Sequence, residues 1–204
     1  MYVLVGIGGH AKVVLPGMLG HHLTAKKTII VRDDHLDNGK DLFMGLQVRT
    51  PALAENMENT NVHVAIGDNL TRERILKLAV AKGAVAFTVI DRGSHVSDTA
   101  RIGLGVFVAC GAIVAADADI SCGVIINHNA VVDHDCCVES FSHIAPGVVL
   151  GGNVTVGKRV LIGAGAVVLP NIIIGDDVIV GAGSVVTKSL RAGSKWIGSS
   201  QVPE

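Results

Sequence analysis

"VVLGGNVTVGKRVLIGAGAVVLPNIIIGDDVIVGAGSVV", residues 148–186, places an aliphatic side chain at every sixth position: Leu150, Val156, Ile162, Val168, Ile174, Val180 and Val186. Traced towards the N-terminus, the same register runs through Ile144, Val138, Val132, Ile126, Ile120, Val114, Val108, Ile102 and Val96, sixteen positions in unbroken succession. The residue two before each is small or β-branched, as at Ala112, Ala130, Cys136 and Ser142. The residue after each is often Gly, Ala, Ser or Asn. A period of six fits neither the 3.6 of an α-helix nor the alternation of hairpin strands. It suits a three-sided prism, in which each six-residue unit is a short strand plus a turn and three units close one coil. The aliphatic side chain points inward and stacks on its equivalent one coil later. The small residue fills the narrow corner, and Gly or Asn takes the left-handed turn conformation that other residues resist. The sheets are parallel, with coils ~4.8 Å apart. Residues 93–190 then form about five coils with no inserted loop.

Composition agrees. The 204 residues are 49 % hydrophobic but only 3 % aromatic, with 25 glycines, so small and β-branched side chains must do the packing. A net charge of -1 offers no basic field for nucleic acid or an anionic membrane. No apolar run reaches the ~20 residues needed to span a bilayer. "MYVLVGIGG" (1–9) lacks the basic start of a secretory signal and reads as a first strand, so a cytoplasmic protein is expected. Cys110, Cys122, Cys136 and Cys137 form no C-x-x-C pair and read as reduced thiols.

Residues 1–92 read as a separate Rossmann-like α/β domain. "MYVLVGIGGHAKVV" (1–14) is a strand, a glycine turn and a helix that Pro16 is expected to shorten. The turn matches G-x-G-x-x-A at Gly6, Gly8 and Ala11, where bare backbone and a helix N-terminus can meet a phosphate. "TIIVRDD" (28–34) is a second strand ending in Asp33 and Asp34, where an acidic residue meets a sugar hydroxyl. "TPALAENM" (50–57) predicts a short helix with Thr50 as cap and Pro51 at its first position. "NVHVAIGDN" (61–69) is a strand, "LTRERILKLAVAKG" (70–83) an amphipathic helix, and "AVAFTVI" (84–90) a last strand. The domain is short for a dinucleotide. A mononucleotide or nucleotide-sugar site at the strand ends, over "GIGGH", "RDD" and "AIGDN", suits it better.

"GIGGHAKVV" (6–14), "AIGDN" (65–69), "VVDHD" (131–135), "FSHIAPG" (141–147) and the prism together resemble the nucleotide-sugar acetyltransferases over nearly the whole chain. That family comprises relatives of the sialic-acid O-acetyltransferases and the N-acetyltransferases of UDP-, GDP- or dTDP-linked 4-amino-4,6-dideoxy sugars. The resemblance implies a left-handed parallel β-helix and a homotrimer whose active sites lie between subunits. It also implies acetyl-CoA as co-substrate, no metal, and a nucleotide sugar as partner. His134 becomes the general base and Asp135 the carboxylate that raises its basicity. His143 would contact the thioester end of acetyl-CoA, and the backbone at Gly152, Ala164 and Ala182 would flank its pantetheine and adenine. Gly8, Gly9, His10, Asp33, Asp34 and Gly67 match the nucleotide-sugar contacts. The family's C-terminal "G-x-P-A" appears only as "IGSSQVPE" (197–204), within a tail of residues 191–204.

The chemistry fits these residue types. Attack of an amine on a thioester needs a base and a stabilised oxyanion. An imidazole titrating near ~6.5, held by a carboxylate, is such a base. His134 lies two after the inward Val132 and His143 one before the inward Ile144, so both point off the prism core, towards solvent or a neighbouring subunit. His128 reads as a surface or interface residue without a role, and Lys158, Arg159 and Lys188 as solvated charges, with contact to CoA phosphates the alternative. Acetylation of a sugar hydroxyl, as in sialic-acid O-acetylation, is the alternative. A prism zinc enzyme would need three convergent histidines, and His128, His134 and His143 are wrongly spaced for it. A non-catalytic sensor would leave the DHD motif without a use, and a dehydrogenase would need a larger sheet.

Overall fold

The computed structural model describes residues 1–20, 28–34 and 42–198. The ending from residue 199 lies outside the described residues. Strand β1 (Tyr2–Val5) leads into helix α1 (Gly9–Gly20), followed by β2 (Ile29–Arg32), β3 (Leu42–Phe43), β4 (Leu46–Arg49), β5 (Asn61–Val64), helix α2 (Asn69–Ala81) and β6 (Val85–Ala86). The sheet order is β3-β4-β2-β1-β5-β6, parallel except for the β3–β4 hairpin. The strands read over residues 1–5, 28–34 and 61–69 are present, and the hairpin is an addition.

Three expectations for residues 1–92 change in the structure. Pro16 does not shorten α1, which continues to Gly20. Leu15 and Met18 on either side of it are fully buried, and Gly17 lies against Val89 and Phe107 of the prism, so packing outweighs the lost backbone bond. No helix forms over residues 50–57. The Thr50–Pro51 bond is cis, Asp34 accepts from the Ala52 N–H at 2.7 Å, and Arg32 Nε donates to the Pro51 carbonyl at 2.8 Å. Those side chains hold the backbone groups a first helical turn would use. "AVAFTVI" is not one strand: Val85–Ala86 ends the α/β sheet, and β7 (Val89–Ile90) begins the prism.

The prism has three parallel sheets of seven, six and five strands, about six coils rather than five. Each strand is two residues long, and the second residue faces inward, as at Val132, Ile144 and Leu150, all fully buried. A second register, three residues after each inward side chain, marks the corners. From Gly105 to Gly183 every sixth residue has positive φ, between 54° and 74°, including Asp117, Asn129, Asp135, Phe141, Asn153, Arg159, Asn171 and Asp177. Asn, Asp and Gly tolerate this conformation, whereas Phe and Arg are strained in it.

The three faces differ. The docking face, which includes Phe107–Val108, Ile125–Ile126 and His143–Ile144, lies against the α/β domain. Phe107 and Ile125 are each 1 % exposed and pack with Ala11, Val14, Leu15 and Met18 of α1. The aliphatic face presents an uncovered row, Ile113, Val131, Val149, Val167 and Val185, of which Ile113 and Val149 are about 40 % exposed. The polar face carries Arg101, Asp119, Cys137 and Thr155, with Arg101 paired to Asp119 at 2.9 Å. Among the described residues no helix is long and apolar enough to cross a membrane, and all four cysteines are free.

Candidate active site

The glycine loop after β1 is shaped by close approach. Gly6 has φ 112°, and a Cβ there would stand 2.9 Å from the Ala65 carbonyl oxygen, so β1 and β5 can converge only with glycine. Among the described residues nothing lies within 4 Å of the Cβ positions of Gly8 and Gly9 at the start of α1. These glycines, His10, Asp33, Ile66 and Gly67 line a cleft of about 560 Å3. Asp33 accepts from the Ile7 N–H at 3.2 Å, which ties the acidic strand end to the glycine loop. Asp34 instead holds Ala52 and lines a smaller recess of about 90 Å3 beside the cleft.

Two imidazoles here, His10 in the cleft lining and His63 on β5, are neutral. Burial, with the nearby Arg72 charge and the cost of a second charge beside His143 and His63, pushes His10 down to about 3. Its Nε2 is buried with no hydrogen-bond partner among the described residues. Burial pushes His63 down to about 4 as well, although its bond to the Phe87 carbonyl at 2.8 Å opposes this.

His143 departs from the expectation. It points off the prism core, but towards the α/β domain of its own chain rather than solvent. Its ring centre is 6.0 Å from that of His10, and burial, then Arg72, push it down to about 4. Asn127 Oδ1 accepts from the His128 N–H at 2.9 Å, so Asn127 Nδ2 is the group that donates to His143 Nε2 at 3.1 Å. That arrangement makes Nε2 the acceptor nitrogen of a neutral ring.

His134 is the opposite case. Its side chain is 60 % exposed at the corner between the aliphatic and polar faces. Nδ1 bonds the Asp135 carboxylate at 2.7 Å, and that bond, with the charge of Asp133, raises its pKa above the ordinary value. Asp135 occupies a positive-φ corner position, which Asp117, Asn153 and Asn171 fill in other coils of the same corner. The ring rests on Gly152, where a Cβ would stand 2.6 Å from both Cε1 and Nε2.

The residues thus fall into three groups. His134, Asp135 and Gly152 share one corner. Ala164 and Ala182 stack on the corner between the docking and aliphatic faces, linked by a bond from the Gly183 N–H to the Ala164 carbonyl at 2.8 Å. Gly8, Gly9, His10, Asp33 and Gly67, with His143 behind them, gather on the docking face. That face lies opposite the His134 corner in a three-sided prism. His128, His134 and His143 do not converge, and no group of three or more metal-binding side chains occurs among the described residues. Arg159 is not a free surface charge, since it pairs with Asp177 at 2.7 Å through Nε.

A small α/β domain docked on a hexapeptide prism, with a carboxylate-held imidazole at a corner, is the architecture of a hexapeptide transferase with an added N-terminal domain. The family models agree: residues 2–78 match the PglD N-terminal domain, and residues 153–188 match the bacterial transferase hexapeptide (six repeats). The acetyltransferase domain of PglB from Neisseria gonorrhoeae FA1090 is 32 % identical, with a TM-score of 0.88 over 100 % of this chain and 98 % of that one. PerB from Caulobacter crescentus, solved with CoA and GDP-perosamine, is 33 % identical, with a TM-score of 0.81 over 97 % and 93 %. WeeI from Acinetobacter baumannii AYE is 27 % identical, with a TM-score of 0.83 over 96 % and 95 %. A search of curated protein sequences gives no significant match. The chain belongs to the nucleotide-sugar acetyltransferase family.

Gly152→Ala tests the seat of the ring. The added methyl displaces the His134 imidazole, and steady-state kinetics should show the acetyl-transfer rate falling about 10- to 100-fold with an unchanged unfolding midpoint. A rate within twofold of wild type would show that Gly152 does not seat the ring.

Proposed function

We propose that this protein transfers the acetyl group of acetyl-CoA to the amine of a nucleotide-linked 4-amino-4,6-dideoxy sugar, by direct attack. The observation that carries this reading is the His134–Asp135 pair at 2.7 Å, with the imidazole edge turned outward at a corner. His134 Nε2 takes the amine proton as the new C–N bond forms at the thioester carbonyl. The tetrahedral centre then collapses, the C–S bond breaks, and the thiolate recovers the proton from His134. The products are the amide and CoA. Asp135 holds Nδ1 and stabilises the imidazolium, a role typically worth ~10²–10⁴-fold together with the base.

The cleft over Gly8, Gly9, His10, Asp33 and Gly67 is the proposed nucleotide-sugar site, with Asp34 beside it. Gly152, Ala164, Ala182 and His143 are the proposed acetyl-CoA contacts. For His143 the Asn127 bond must be kept or exchanged when the thioester arrives. Because the cleft lies on one face of the prism and the base and the Ala164–Ala182 stack on two different edges, the reading needs a second copy of the chain to assemble them. The uncovered aliphatic face supports a homotrimer packed through it. The four free thiols suit a reducing, cytoplasmic setting.

A screen of UDP-, GDP- and dTDP-linked 4-amino sugars, read by thiol release, should give saturable turnover of one of them. Turnover of free sialic acid and of no amino sugar would contradict amine transfer. Asp135→Asn removes the main cause of the raised His134 pKa, so the acidic limb of kcat/KM should move to lower pH while the plateau falls. An unmoved limb would detach that limb from His134.

A shared site also predicts complementation. His134→Ala and Ala182→Trp, each inactive alone, should regain roughly a quarter of wild-type activity when unfolded and reassembled as an equal mixture. No recovery would place each site within one chain.

A further inference from the structure

Helix α2 buries the stripe Arg72, Ile75, Leu76 and Ala79, and Arg72 is 1 % exposed. A guanidinium at the head of an apolar stripe calls for an explanation, and among the described residues no carboxylate forms an ion pair with it. All five of its N–H groups are taken by backbone carbonyls and one amide oxygen. Nε donates to Gly123 O at 2.8 Å. Nη1 donates to Ile66 O at 3.0 Å and Gly67 O at 3.1 Å. Nη2 donates to Phe141 O at 2.7 Å and to Asn69 Oδ1 at 2.8 Å. Asn69 Nδ2 in turn donates to Arg159 O at 2.9 Å and Val160 O at 3.1 Å.

The partners form a pattern. Gly123, Phe141 and Arg159 are successive corner residues of one prism edge, each with positive φ, and Phe141 and Arg159 are the bulky ones strained in that conformation. Such strain persists where the surroundings over-determine it. Ile66 and Gly67, at the other end of the fork, line the nucleotide-sugar cleft. One buried cation therefore bonds the cleft loop to the prism edge next to His143. A buried charge held by neutral dipoles is a poor adhesive compared with an apolar contact of the same size. Its distinctive property is geometry, since the planar fork fixes directions that a lysine or an aliphatic side chain cannot.

We propose that Arg72, with Asn69, is a positioning residue that sets the nucleotide-sugar cleft on the prism. It holds the Ile66–Gly67 loop in a fixed register to the corner carbonyls of Gly123 and Phe141, and so fixes how far the bound sugar reaches towards the acetyl donor. The proposal rests on the nucleotide-sugar reading of the cleft. It predicts that the fork affects transfer rather than donor binding.

The test uses Arg72→Lys and Arg72→Met of the full chain, with the number of folded sites counted by CoA binding. Per CoA site, kcat for the nucleotide sugar should fall about 100-fold in both variants, with the KM for acetyl-CoA within threefold of wild type. A role in folding alone would lower the number of CoA sites and leave kcat per site unchanged, and that result would overturn the proposal. Hydrogen exchange gives a readout independent of substrate identity. Amides of residues 65–69 and 141–143 should gain exchange together in Arg72→Met, while those beyond residue 162 stay protected. Unchanged exchange at 65–69 would sink the proposal even if wild type turned over no nucleotide sugar, a separate result that would count against the function reading.

Discussion

Everything in this molecule depends on a left-handed corner repeated every six residues. The positive-φ turn bends the chain after each two-residue strand, and without it the aliphatic side chains could not stack coil upon coil. The three prism edges use that corner differently. Between the docking and aliphatic faces the position is Gly111, Asn129, Gly147, Gly165 and Gly183, which leaves backbone bare beside Ala164 and Ala182. Between the aliphatic and polar faces it is Asp117, Asp135, Asn153 and Asn171, and one of these supplies the carboxylate that holds His134. On the third edge Phe141 and Arg159 take the strained turn, and α2 binds their carbonyls together with those of Gly123 and Val160.

The histidines divide along the same lines. His134 sits in water beside two carboxylates, which favour its charged form and raise its basicity. His10, His63 and His143 lie between the docking face and the α/β sheet, where burial disfavours charge and Arg72 adds repulsion. One environment suits an imidazole that gains and loses a proton. The other suits neutral rings that accept or donate hydrogen bonds in fixed directions.

The sequence carried the prism because its signal is redundant: sixteen inward positions agree, and no single one matters. The glycine loop was legible because bare backbone leaves glycine at Gly6 and Gly8. His134 and Asp135 stood out by their motif, although the corner register that explains Asp135 was less visible, since Phe141 and Arg159 interrupt its Gly and Asx pattern. What the sequence hid depends on contacts between the two parts of the chain. The direction of His143, the continuation of α1 through Pro16 and the split of residues 84–90 are all set by docking of one sheet on another. Arg72 gives little signal in the sequence, because a charged residue on a surface helix normally faces water. Its spacing of three, four and seven from Ile75, Leu76 and Ala79 was the available clue.

The central claim is that the outward imidazole of His134 moves the proton during transfer. The most direct measurement is the steady-state rate of His134→Asn, a near-isosteric replacement, alongside its affinity for CoA. The account predicts a kcat lower by about 10²–10⁴-fold with CoA affinity unchanged. A variant that keeps a third or more of the wild-type kcat across the pH range would contradict it, and the base would have to be sought elsewhere.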